Sequence, residues 1–435
     1  MRGWGRLAPE DRNPIRLFRH RNFRLLWTGS TASNLGGATT SVALSWIVFS
    51  TTHSAFAVTL LGLAYFAPTL GIGLAAGVLA DRYDRRRLML RADVVRAVAV
   101  GALALALLLR GFDLTAIVVV VVVVAALSAV FRPAANAILP SLLPPEELGD
   151  ANGLLLSGAT LGGFVGSAVG GLLVATVGAI EGFSLNALTY ALSAATLFLL
   201  VIPRSPSGAP SSAPTSAGAR SSFLSDLREG FAYIRSQPAL LWTILASLVA
   251  NFFLAVYLLY LVVYVPVGVG AGPGVYGAAV ALSGLGFGAG GLLVGRWHLA
   301  RRTGLVYIGG WTAAGVLIAL LALAPSVPLL LGASAGIGVL GGTANTTYLT
   351  CVQRIVPGPL LGRFFAIDEV GSFAVIPLGQ VVGGLLVVAA GIDAAFLVAG
   401  VGSALSAAVL LASRSARELS DEPLATLPAS PLAPG

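Results

Sequence analysis

The sequence predicts an all-α polytopic membrane protein, with twelve transmembrane helices in two parallel-repeat six-helix bundles. Three observations predict it. Of 435 residues, 57% are hydrophobic and only 10% charged, where a soluble domain averages about 25% charged. Apolar stretches of about 20 residues, enough to cross a roughly 30 Å hydrocarbon core as a helix, recur twelve times along the chain. The second half also repeats landmarks of the first. This composition excludes a soluble globular protein, a disordered chain and a disulfide scaffold, and the single Cys351 can form no internal disulfide.

The spans are expected near 25–48, 57–79, 88–109, 114–135, 152–176 and 180–202, then 239–265, 274–295, 304–324, 327–350, 364–390 and 392–412. The fourth contains the run Val118 to Val124. In water such β-branched residues favour strand, but in lipid the backbone must pair within its own segment, so helix is expected. Residues 1–24 read as a cytoplasmic N-terminal segment, with arginines and no short apolar core ahead of a small-residue cleavage site. The first bundle occupies 25–202. Residues 203–238 are a cytoplasmic linker, opening with PRSPSGAPSSAPTSAGARSS over 203–222, a composition of flexible connectors. Phe223, Leu227, Phe231 and Ile234 then recur at helical spacing, as in a helix lying on the membrane surface. The second bundle spans 239–413, and a Pro/Ala-rich tail, 414–435, is expected to be disordered.

Arginine fixes the orientation. All 26 basic residues are arginine, and with both termini inside, only Arg110 falls on the outer face. The short outer loops carry Asp113, Glu181 and Asp393. This asymmetry places a multi-pass protein in the inner (cytoplasmic) membrane with both termini cytoplasmic. The net charge of +8 therefore reads as affinity for anionic lipid at the cytoplasmic face, not for nucleic acid.

The internal repeat has an offset of about 213 residues. Gly170-Gly171-Leu172-Leu173 returns as Gly383-Gly384-Leu385-Leu386, and Pro144 with Leu148-Gly149 returns as Pro357 with Leu361-Gly362. Parallel halves of this kind place substrate at their interface near mid-membrane. Between spans 2 and 3 stands Gly77-Val78-Leu79-Ala80-Asp81-Arg82-Tyr83-Asp84-Arg85-Arg86-Arg87. It resembles the loop 2–3 signature of the major facilitator superfamily, Gly-x-x-x-Asp-Arg-x-Gly-Arg-Arg-Arg/Lys, with Asp84 where glycine is usual. The segment from Ser54 to Arg87, with Pro68 inside span 2, is similar to the branch of the enterobactin exporter and macrolide efflux proteins. The resemblance implies that Gly77, Asp81, Arg82, Arg85, Arg86 and Arg87 form a conformational latch, with Asp81 meeting the N-terminus of span 11.

In span 5, Gly153, Gly162, Gly166, Gly170 and Gly171 resemble the antiporter motif of drug-exporting facilitators, with Ser167 replacing its proline. Independently of any family, Gly158, Gly162, Gly166 and Gly170 make a smooth ridge at i, i+4 spacing that admits a neighbouring backbone. An ionisable group in the bilayer centre costs at least about 2.5–3.5 kcal/mol, so each needs a reason. Asp93 and Arg96 can pair at i, i+3 and are the candidate coupling residues, with Glu369 at the start of span 11; a structural ion pair is the competing reading. Neutral candidates for a substrate cavity are Asn34, Asn186, Tyr190, Asn251, Tyr257, Asn345 and Gln380.

No nucleophile–base set is apparent, and His20, His53 and His298 stand far apart, so neither an enzyme, a metal site nor a cofactor is expected. Gly332-x-Ser334-x-Gly336 and Gly286-x-Gly288-x-x-Gly291 match catalytic and dinucleotide motifs only by letter, since both lie inside apolar spans. The resemblance implies a monomeric secondary transporter that takes a lipophilic small molecule such as a drug, macrolide or siderophore and exports it against protons by alternating access. A nutrient symporter and a transport-silent receptor are the rival readings.

Overall fold

The computed structural model describes residues 14–202, 231–297, 302–357 and 374–417, with 360–361, 364–365 and 367–368 between the last two. The side chains of 70, 73–82, 145, 295–297 and 415 lie outside this description. The first six helices are α1 (Arg21–Thr52), α2 (Ala55–Arg82), α3 (Arg85–Arg110), α4 (Leu114–Ile138), α5 (Leu148–Thr176) and α6 (Ala179–Leu199). Then follow α7 (Pro238–Val267), α8 (Pro273–Trp297), α9 (Thr303–Leu323) and α10 (Val327–Ile355).

The last long element, Ile376–Ala408, continues as a 3₁₀ turn to Ala412. Its apolar run of 37 residues would reach about 55 Å at 1.5 Å per residue, far more than one bilayer crossing. Gly391 breaks it, at φ 86° and ψ 169°, in a region that a Cβ would strain. The parts before and after Gly391 are α11 and α12. Expected as continuous from 364, span 11 instead shows a turn at 374–375, and α11 starts at Ile376 with Pro377 in its first turn, where its missing N–H costs nothing.

Helix starts follow local chemistry. Asp84 Oδ1 accepts from the Arg87 N–H at 2.7 Å and Asp113 Oδ1 from the Ala116 N–H at 3.1 Å, capping α3 and α4. The departure from the superfamily glycine at 84 is thus a cap. The valine run is helical throughout, within Leu114–Ile138. Among the described residues, nine helices are long and apolar enough to cross a membrane.

The chain divides into two compact units, Met1–Leu44 with Ala64–Gly208, and Ser45–Leu63 with Ala209–Gly435. In the first, α5 lies on α1 through its glycines. A Cβ on Gly162 would stand 2.8 Å from the Thr31 carbonyl oxygen, and one on Gly170 2.7 Å from that of Thr39. The Thr39 hydroxyl donates to the Gly166 carbonyl at 2.9 Å across the same seam. A cluster of Phe23, Leu26, Met89, Phe131 and Ile138 fills one end of this unit, and Asn22 Nδ2 ties its entry to Val201 O at 2.6 Å.

The second unit repeats the device. Gly383 of α11 faces Tyr260 and Val256 of α7, as the α5 ridge faces α1. The tip of the α1–α2 hairpin belongs to this unit. Thr59 Oγ1 is 2.5 Å from the Tyr260 hydroxyl, which donates to Gln380 O at 2.8 Å; Trp46 stacks on Tyr276 with ring centroids 6.3 Å apart. Of the expected surface helix, 223–230 lie outside the described residues. Residues 231–236 are helical, with Phe231 exposed and Ile234 buried against Leu240, Ile244 and Val352, so this end is part of the core. The tail expected to be disordered from 414 begins with a helical turn, Arg414–Arg417, whose Ala416 is buried in the same cluster.

Candidate functional site

The first unit holds a buried ion pair between three helices. On α3, Arg96 Nη2 lies 2.6 Å from Asp93 Oδ1, with side chains 5% and 0% exposed. Their i, i+3 spacing puts both on the same face of the helix. From α6, the Ser193 hydroxyl donates to Asp93 Oδ2 at 2.6 Å. From α4, Ser128 Oγ accepts from Arg96 Nη1 at 3.3 Å. The guanidinium carbon is 4.5 Å from the centre of the Phe131 ring and 4.8 Å from that of Tyr190. A cation clasped between two aromatic faces gains about 0.5–2 kcal/mol from each.

The site follows from the local sequence of each helix. Asn186, Thr189, Tyr190, Ser193 and Thr196 recur at helical spacing along α6 and are all buried. This polar stripe faces α3 through Tyr190 and Ser193, and it faces the small residues of α1, where Gly29 lies against Ser193 and Gly36 against Asn186. Ser128, Phe131 and Ser193 were not among the sequence candidates. The periodicity of the α6 stripe is the signal that contained Ser193, whereas nothing in the valine-rich α4 singled out Ser128.

The seven cavity candidates separate by burial. Asn186, Tyr190, Tyr257 and Gln380 are buried inside their units. The Tyr257 hydroxyl is 3.2 Å from Ser334 Oγ, and the Gln380 backbone carbonyl accepts from Tyr260. By contrast, Asn34 and Asn345 are exposed and Asn251 is half-buried. Asn34 Nδ2 donates to Ser30 O at 2.7 Å in its own helix.

In the loop 2–3 signature, Gly77, Asp81 and Arg82 fall at the end of α2, where side chains lie outside the described residues, and Glu369 lies outside them altogether. Its neighbour Asp368 accepts from the Tyr348 hydroxyl at 3.2 Å. Arg85 Nη1 donates to Ala137 O at 2.8 Å, and Arg86 Nε to Leu197 O at 2.8 Å. In span 5, Gly162, Gly166, Gly170 and Gly171 are buried, while a Cβ on Gly153 would meet open space. No group of three or more His, Cys, Asp or Glu side chains gathers among the described residues.

Two membrane-spanning units, each packed through a glycine ridge that recurs in the sequence repeat, define a secondary transporter of the major facilitator class. Residues 13–433 match the family model described as transmembrane secretion effector, and the chain belongs to this family, on the efflux branch of the superfamily. The multidrug efflux pump Tap of Mycolicibacterium fortuitum is 27% identical over 384 residues, 86% of this chain and 91% of that protein. Macrolide efflux protein A of Streptococcus pyogenes is 25% identical over 245 residues, 56% of each chain. Among solved structures, the nucleoside transporter NupG superposes with a TM-score of 0.71 at 14% identity, over 90% of this chain and 99% of that one. A bacterial homologue of the lysosomal transporter Spinster gives 0.68 at 16%, over 92% and 98%. These two similarities concern the fold. The protein is therefore a transporter and not an enzyme, and it takes a small-molecule substrate.

Proposed function

We propose that this transporter exports a lipophilic small molecule in exchange for protons by alternating access, with the Asp93–Arg96 pair as the coupling group. The observation that carries the reading is the ion pair itself, buried between α3, α4 and α6. A carboxylate inside a membrane protein is expensive, and such groups commonly serve proton relays. Protonating Asp93 removes the charge that balances Arg96, so a proton there changes the packing of three helices at once. The names of the efflux relatives support outward transport of drug-like or macrolide-like compounds. The arginine asymmetry supports cytoplasmic termini in the inner membrane, with anionic lipid against the arginine-rich face. Asp81 and Glu369 remain candidate partners in coupling, and a monomer is the working unit.

Inverted vesicles carrying the protein, energised by a pH gradient, provide the test with a panel of fluorescent dyes and macrolides. Wild type is expected to accumulate at least one compound and to lose the accumulation when the gradient is collapsed. Asp93→Asn is expected to retain gradient-free exchange while losing accumulation. Accumulation that survives in Asp93→Asn overturns the coupling assignment, and none across the panel for wild type overturns the export reading.

A further inference from the structure

The arginines at the start of α3 divide into two kinds. Arg85 reaches the carbonyl of Ala137 in the last turn of α4. Arg86 reaches those of Leu197 at 2.8 Å and Phe198 at 2.5 Å at the end of α6. Both satisfy carbonyls that a helix C-terminus leaves open. The side chain of Arg87 does neither. It is exposed, as is Arg91 one turn further along the same face. Tyr83, 58% exposed, with Asp84 and Leu88 completes a cavity of about 170 Å³ around the two guanidiniums. Among the described residues neither guanidinium meets a carboxylate or a carbonyl.

Below Arg91 the same face of α3 becomes apolar and stays exposed, through Val94, Val95 and Val98 at 46%, 46% and 66%. It then runs into a groove of about 540 Å³ between α3 and α6, floored by Gly101 and Ala187 and flanked by Leu105 and Leu188. Arg91 to Val98 is seven residues, about 10 Å along the helix, which falls within the roughly 15 Å depth of one leaflet. Two exposed cations thus stand against the single carboxylate lining this cavity, that of Asp84, which is engaged by the Arg87 backbone N–H. Together with a phenol and an apolar channel leading down from them, they form the profile of a phospholipid whose head carries net negative charge.

We propose that Tyr83, Arg87 and Arg91 bind the phosphate of an anionic phospholipid, with one acyl chain lying along Val94–Val98 into the α3–α6 groove. This deepens the lipid contact proposed above and rests on it. The guanidinium forks grip the phosphate oxygens in paired, charge-assisted hydrogen bonds, and the Tyr83 hydroxyl donates a further one. The second positive charge is what selects an anionic headgroup over a zwitterionic one. A free phosphate ion lacks the chain and gains nothing from the groove.

The test is lipid titration of delipidated full-length protein in detergent, read by native mass spectrometry with phosphatidylglycerol, phosphatidylcholine and inorganic phosphate as probes. Wild type is expected to bind its first phosphatidylglycerol at least about tenfold more tightly than phosphatidylcholine, a preference that Arg87→Gln/Arg91→Gln abolishes without moving the thermal midpoint of lipid-free protein. Arg85→Gln/Arg86→Gln is expected to keep the preference while lowering that midpoint. Gly101→Leu, which fills the groove, is expected to weaken phosphatidylglycerol binding at unchanged headgroup chemistry. No preference in wild type overturns the general lipid contact. A preference that survives Arg87→Gln/Arg91→Gln overturns this site alone, and millimolar inorganic phosphate displacing the lipid overturns the phospholipid as its occupant.

Discussion

Replacing Asp93 with asparagine isolates the energetics of the buried pair. Asparagine keeps the shape and still accepts from Ser193, but it leaves the Arg96 guanidinium with no countercharge. Its remaining partners are then the Ser128 hydroxyl at 3.3 Å, the Ala92 carbonyl at 3.4 Å and the two ring faces. Breaking one side of a buried ion pair costs about 3–5 kcal/mol. For a unit of about 200 residues, each kcal/mol moves the midpoint by about 2–4 °C, so the substitution is expected to lower it by about 6–20 °C. The double variant Asp93→Leu/Arg96→Met removes the uncompensated charge along with the pair. It loses the two cation–π contacts, worth about 0.5–2 kcal/mol each, but no longer buries any ion. It is therefore expected to lose less than Asp93→Asn loses. Scanning fluorimetry of full-length protein in detergent measures both midpoints. A shift under about 3 °C for Asp93→Asn, or a double variant as damaged as the sum of its singles, would refute the claim that the charges are mutually dependent.

Three further outcomes follow from the packing. Gly166→Leu is expected to abolish monodisperse protein in size-exclusion chromatography, because even its Cβ would stand 2.9 Å from that of Ala38, whereas Gly153→Leu, in open space, is expected to leave the elution profile unchanged. Arg86→Gln removes the charge-assisted bonds at the end of α6 and is expected to cost about 1–3 kcal/mol, discounted for partial exposure; hydrogen exchange should quicken in the last turn of α6 and not in α5. Tyr260→Phe leaves the Gln380 carbonyl and the Thr59 hydroxyl without their shared partner, at about 1–3 kcal/mol, and the thermal midpoint should fall accordingly.

Much of the fold was legible because the solvent is simple. Apolar length gives a span, whereas the caps at Asp84 and Asp113 are seen only in the structure. The boundaries that differed did so for local reasons. Pro377 sets the start of α11, and burial of Ala416 and Ile234 draws nominal tail and linker residues into the core. The candidate site was half legible. Asp93 and Arg96 stood out as charges in an apolar span, but their partners Ser193, Ser128 and Phe131 are ordinary residues that become specific only when three helices meet.

The sequence by itself determined that the chain is an all-α, multi-pass membrane protein whose second half repeats landmarks of the first. It could do so because a bilayer forces every backbone to pair within its own segment and charges every misplaced ion several kcal/mol. Only the tertiary structure decided which of Arg85, Arg86 and Arg87 close helix ends, and which asparagines are buried or exposed. Successive residues on a helix point about 100° apart, so a side chain's neighbours depend on the rotation of each helix against the next. That rotation is set by packing between segments distant in sequence, where Gly166 meets Leu35 and Ser193 meets Asp93.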